Sequence, residues 1–174
     1  MDGGFSKSDI SMDKVNEYIQ VLGLQPHVEG GYYKETYKSA IENEYAGFSG
    51  KRSVSTGIYF LLRKGEFSAF HRIKSDEMWH FYDGDPLSVY IITNSGQLQV
   101  IKLGLDLKSG QHPQAVVPAG CWFGSRVESP GNFALVGCTV APGFDFQDFE
   151  MAERGNLLAD FPQHGDIITE LTRG

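Results

Sequence analysis

Two cysteines in 174 residues is a small number. Cys121 and Cys138 are too far apart for a closely spaced zinc or redox pair, and two are too few for a disulfide scaffold. They read as reduced, buried thiols that pack as small apolar groups. A long apolar run is also missing, so no bilayer-spanning helix and no membrane role are expected. Nor does the chain open on a charged-then-apolar signal segment, which with the free thiols makes the cytoplasm the expected compartment. Lys and Arg nowhere cluster, and the formal net charge is −7. A nucleic-acid partner is therefore not expected. There is no internal repeat, no low-complexity tract and no Gly/Ser/Pro-rich linker to divide domains. The expectation is a flexible start over 1–10 and one domain over 11–174.

What is present is strand pattern punctuated by turns. One helix comes first: Val15, Tyr18, Ile19 and Leu22 fall on one face, with Ser11 as the expected N-cap and Gly23 as the stop. Strands follow over 32–37, 53–62, 67–73, 78–82, 87–93, 97–103, 115–117 and 133–140. Turn signals separate them at Arg63-Lys64-Gly65, Asp83-Gly84-Asp85-Pro86, Asn94-Ser95-Gly96 and Ser129-Pro130-Gly131-Asn132. Many short strands at close spacing predict a sandwich, barrel or jelly roll. Short helical pieces over 157–161 and 166–171, around Pro162, are expected outside it.

The chemistry concentrates between Gly65 and Gly84, where His71, Glu77 and His80 surround Trp79. A hairpin turning at Lys74-Ser75-Asp76 would bring His71 and Glu77 together on one face. A carboxylate inside a barrel is costly without a partner, so an inward Glu77 needs a cation, an imidazole or a metal. His71 titrates near neutrality and suits a general base oriented by Glu77. Simple alternation sends His80 to the face opposite Glu77; a bulge between them would bring it back as an assisting group or third metal ligand. Tyr59 is the candidate acid. Trp79 and Trp122 are candidate pocket walls for stacking, with plain core packing as the other reading. Arg52 is a candidate anion contact.

This stretch resembles the first cupin motif, G-x5-H-x-H-x3-4-E-x6-G. Gly65, His71, Glu77 and Gly84 keep its spacing, and Ile73 replaces the second His. The second motif, G-x5-P-x-G-x2-H-x3-N, is matched by Pro118-Ala119-Gly120, but Phe123 stands for the His and Val127 for the Asn. Three further stretches extend the likeness: His27-Val28-Glu29-Gly30-Gly31-Tyr32-Tyr33, residues 55–62, and Val136-Gly137-Cys138-Thr139-Val140-Ala141-Pro142-Gly143-Phe144. Together they resemble the small "cupin 5" family. That resemblance implies an all-β fold, a double-stranded β-helix (cupin jelly roll) with an N-terminal helix and short C-terminal helices. It also implies a homodimer, related in shape to dTDP-4-dehydrorhamnose 3,5-epimerases. In cupins three His and the Glu bind a metal; Ile73 and Phe123 remove two of those four, so no cofactor is expected. The leading expectation is an epimerase- or isomerase-like enzyme on a small polar ligand, a carbohydrate or nucleotide. A non-catalytic binding module is one alternative. A metal-dependent enzyme using His71, Glu77 and His80 with a divalent cation is the other.

Overall fold

The computed structural model describes residues 7–174, with side chains from Ser11 onward. The chain begins with helix α1 (Lys7–Leu22), then β1 (Gln25–Pro26), β2 (Tyr32–Lys38), β3 (Glu42–Glu44), β4 (Lys51–Ser53), β5 (Thr56–Arg63) and β6 (Phe67–Arg72). It continues through β7 (Asp76–Gly84), β8 (Leu87–Ile92), β9 (Leu98–Leu103), β10 (Gln114–Val117), β11 (Trp122–Val127), β12 (Phe133–Ala141) and β13 (Glu150–Met151). Helices α2 (Arg154–Asp160) and α3 (Gly165–Glu170) close the chain. Of the expected loose start, residues 1–6 lie outside the described residues. The helix begins at Lys7, one turn before the expected Ser11 cap, and stops as expected before Gly23, which takes a φ of 65°.

A six-stranded sheet runs β1-β2-β5-β12-β7-β10 and a five-stranded sheet runs β13-β6-β11-β8-β9. The named ladders in both are antiparallel. Successive strands β5, β6, β7 and β8 alternate between the sheets, which is the jelly-roll winding. The expected β6–β7 hairpin therefore does not form: the turn after β6 carries the chain across to the other sheet. The expected strand over 53–62 is also divided. Ser53 still pairs with Glu42 in a separate β3–β4 hairpin, whereas Thr56 onward pairs with β2 and β12. Strand β11 lies where no strand was expected, because Gly124, Ser125 and Arg126 obscure its apolar pattern; it is almost wholly buried.

Side-chain alternation splits the burial into layers. Phe60, Leu62, Trp79, Val89, Phe123 and Val136 fill the space between the sheets. On the outer face of the larger sheet, Val15 of α1 packs with Leu61, Phe133 and Leu135. Outside the smaller sheet, Leu157, Ile168 and Leu171 cover Phe70 and Ile92. A bulge in β7 at Tyr82 lets Phe81 point inward while Asp83 reaches α1, bonding Tyr18 Oη at 2.6 Å and Lys14 Nζ at 2.7 Å. No helix among the described residues is long and apolar enough to cross a membrane.

Candidate functional site

A cavity of about 440 Å³ opens between the sheets at one end of the barrel, a size common for small-molecule sites. Its polar wall is built from four places in the sequence. The β1–β2 connection supplies His27 and Glu29, β6 supplies His71, β7 supplies Glu77 and β12 supplies Cys138. Gly30 and Gly31 make the first of these placements. Both have positive φ, and a Cβ at Gly30 would overlap the Phe67 carbonyl oxygen. Only glycine lets this connection lie against β6, where Ala69 N–H donates to the Glu29 carbonyl at 2.8 Å.

Glu29, not Glu77, is the hydrogen-bonding partner of His71. His71 Nε2 lies 2.8 Å from Glu29 Oε2, and its Nδ1 lies 2.7 Å from the Ala69 carbonyl. Both ring nitrogens thus face acceptors, which an imidazolium satisfies by donating twice. Burial by itself pushes the His71 pKa down, but Glu29, Glu77 and the Ala69 carbonyl together hold it above its ordinary value. Burial pushes Glu29 up, and His71, helped by His27 and Ser68, more than reverses that, leaving its carboxyl below the usual range. The ring is further fixed by Phe149, stacked at 5.2 Å, and by Phe123 at 4.1 Å.

Glu77 is 8% exposed, and its carboxyl lies by the Cys138 thiol. Burial drives its pKa up to about 7; His71 pulls it down and Glu29 pushes it up. The Cys138 thiol is raised well above its ordinary value by burial and by Glu77, so it is a weak donor and not a nucleophile. His27 accepts the Glu29 backbone N–H on Nδ1 at 3.1 Å. Burial lowers its pKa, so the neutral ring that lines the cavity carries its proton on Nε2. Phe144, Phe146 and Phe149 give the cavity apolar surface, and Glu35, Lys38 and Asp145 are among its other lining residues.

The other expected site residues stand elsewhere. His80 follows strict alternation, because the β7 bulge comes two residues too late to turn it inward. It bonds Thr139 Oγ1 at 2.9 Å and Gln114 Nε2 at 3.1 Å on the outer face. Tyr59 points to the α1 side, edge-on to Tyr82. Trp79 is core, edge-on to Phe60 and Phe123, and Trp122 lies outside the barrel with the Arg72 guanidinium over its ring at 4.4 Å. Arg52 is not a free anion contact: its guanidinium is 2% exposed and grips Asp148 with two bonds of 2.7 and 2.9 Å. Residues missed from sequence were His27, Glu29 and the 144–149 aromatic segment. The signal available for Glu29 was the Gly-Gly pair directly after it.

The metal cage that the resemblance implies does not fit this donor set. His71 has both nitrogens engaged, Ile73 and Phe123 present apolar surface, and His80 faces away. Among the described residues no group of three or more His, Cys, Asp or Glu is arranged to hold a metal ion.

The family described as Cupin superfamily (DUF985) matches residues 16–152. The uncharacterized protein YML079W of Saccharomyces cerevisiae is 34% identical over 147 residues, covering 77% of this chain and 73% of that one. Protein SO0799 from Shewanella oneidensis superposes with a TM-score of 0.83 at 46% identity, covering 91% of this chain and 96% of that one. A hypothetical protein from Leishmania major gives a TM-score of 0.87 at 33% identity, covering 91% and 98%. An oxalate decarboxylase of Bacillus subtilis, at 14% identity and a TM-score of 0.53 over 85% of this chain and 37% of that one, shares the fold alone.

Proposed function

The chain belongs to the Cupin superfamily (DUF985), and on that premise we propose that its barrel binds a small polar molecule and moves a proton on it, with Glu77 as the acid–base group. The observation that carries this reading is the Glu77 carboxyl: buried in a cavity wall, beside the Cys138 thiol, and poised near neutrality. His71 takes a different role from the expected base. With both nitrogens engaged it holds Glu29, and its positive charge balances a carboxylate inside the barrel. The phenyl wall gives an apolar ring face a place to pack, and His27 Nε2–H offers a donor to a ligand oxygen.

The test is thermal stabilisation by a panel of sugars, hydroxy acids and oxo acids, since a ligand that binds the native state raises its stability by mass action. Stabilisation by one class is expected, and its loss in Ile73→Trp, which fills the cavity while the melting transition stays cooperative. A panel that moves neither protein sinks the reading. A binding module without chemistry is the second reading, favoured by the engagement of both His71 nitrogens; it expects the same stabilisation and no turnover. The dimer that the resemblance implies is supported by Met78, Tyr82 and Val116, exposed on the outer face of the larger sheet. Sedimentation of wild type against Val116→Lys tests it, with a wild-type monomer refuting it.

A further inference from the structure

The Glu77 carboxyl, the acid–base group of the reading above, stands on one side of the cavity. Glu77 on β7, Cys138 on β12 and Tyr33 on β2 belong to the larger sheet and line its inner surface. The facing sheet contributes His71, whose two ring nitrogens are already engaged, and the phenyl ring of Phe149 lies over that imidazole. A planar ligand held between the sheets therefore meets the Glu77 carboxyl on one face and an engaged imidazole with phenyl surface on the other.

This asymmetry selects among proton-transfer reactions. Inverting a carbon requires the proton to leave one face and return to the other. Moving a proton between neighbouring carbons of a planar enediol uses one face throughout, so a single carboxyl suffices. The rim narrows the ligand further. Lys38 is accompanied by Glu35 and by Asp145, whose carboxyl is held below the usual range by the Gln147 backbone N–H, Arg52 and Lys38. Two carboxylates and one ammonium give a rim of net negative charge, and the whole chain carries −7. A phosphate dianion is repelled by that field, whereas a neutral polyol is not.

We propose that this cavity interconverts an unphosphorylated α-hydroxy aldehyde and its α-hydroxy ketone, with Glu77 shuttling the proton along one face of the enediol. The inference deepens the proton-transfer reading above and rests on it. Glu77 carboxylate takes the C–H proton from the carbon bearing the hydroxyl. The C–H electron pair becomes the new C=C bond, and the carbonyl π pair moves to its oxygen, which accepts a hydrogen bond from His27 Nε2–H. The hydroxyl proton passes to that oxygen across the cis-enediol. The Glu77 carboxylic acid returns its proton to the neighbouring carbon as the C=O bond forms at the other. Atoms and electrons balance without a redox partner, and a Glu titrating close to neutrality, in a cavity also lined by a neutral imidazole donor, is suited to both half-steps.

Proton NMR in D2O tests this with the full chain. The probes are glyceraldehyde with dihydroxyacetone, glucose with fructose and mannose, and the phosphate esters of the same pairs. The expected result is aldose–ketose conversion with deuterium at the carbon next to the carbonyl, in at least one unphosphorylated pair. Glu77→Gln, isosteric with the neutral acid, is expected to slow it about 100-fold or more, while His80→Ala on the outer face leaves it unchanged. Three results overturn the inference: inversion at one carbon without ketose, preference for the phosphate esters, or unchanged conversion in Glu77→Gln. Stabilisation of wild type by these sugars without exchange also overturns it and leaves the ligand-binding half of the earlier reading standing. Neither stabilisation by the wider panel nor exchange removes both.

Discussion

Replacing Glu77 by Gln should change stability in a way that depends on pH with a defined sign. In the unfolded chain this carboxyl ionises near 4.5; in the barrel burial holds it neutral up to about 7. Between those values the folded state keeps a proton that the unfolded state has released, so stability falls as pH rises through that window. The gap, at about 1.4 kcal/mol per pH unit, comes to about 3 kcal/mol. Gln has the shape of the neutral acid and never ionises. Glu77→Gln is therefore expected to match wild type near pH 4.5 and to exceed it by about 3 kcal/mol at pH 8. The difference should grow steadily between. Urea denaturation of both proteins at pH 4.5, 6, 7 and 8 reads this, because titrating groups that do not interact with Glu77 cancel in the difference. Thermal melts should agree, at roughly 2–4 °C per kcal/mol for a domain of this size. A difference that stays flat with pH would refute the claim that Glu77 is buried without an adequate cation. A gain at low pH instead would mean that the carboxylate is the form that the fold prefers.

His71→Leu leaves Glu29 buried without its cation and is expected to cost about 3–5 kcal/mol in urea denaturation, with His71→Leu/Glu29→Leu recovering most of it. In the wild type, nitrogen NMR should show the His71 ring doubly protonated above pH 6.5; a neutral ring there contradicts the double-donor assignment. His80→Ala removes only outer-face bonds to Thr139 and Gln114 and should change stability by about 1 kcal/mol or less. Arg52→Met should free the 144–149 segment, seen as weakened near-ultraviolet circular dichroism and faster proteolysis between Phe144 and Phe149; unchanged protection means Asp148 holds the segment by other contacts.

How much was legible followed from how local each signal was. Alternation in β7 is a period-two pattern within one strand, and it set Glu77 and Trp79 on one face and His80 on the other without any partner strand. The helical face of Val15, Tyr18, Ile19 and Leu22 was equally local. Strand β11 was lost because its burial comes from both sheet neighbours and its own residues are mixed. Trp79 illustrates the same limit at the site: apolar, inward and next to Glu77, it packs against Phe60 and Phe123 rather than lining the cavity.

The sequence by itself determined a strand-rich domain flanked by helices, and its resemblance to the cupin motifs implied the jelly roll and the loss of two metal-ligand positions at Ile73 and Phe123. These depend on periodicity, turn residues and motif spacing, all carried by neighbouring residues. Only the tertiary structure decided who pairs with whom. His71 is separated from Glu29 by more than forty positions and meets it because Gly30 and Gly31 let a connection press against β6. Once Glu29 takes His71, Glu77 is left without a strong partner and its proton affinity rises. In the proposed reading the acid–base role thus passes from the imidazole to the carboxyl, through a contact that no local pattern encodes.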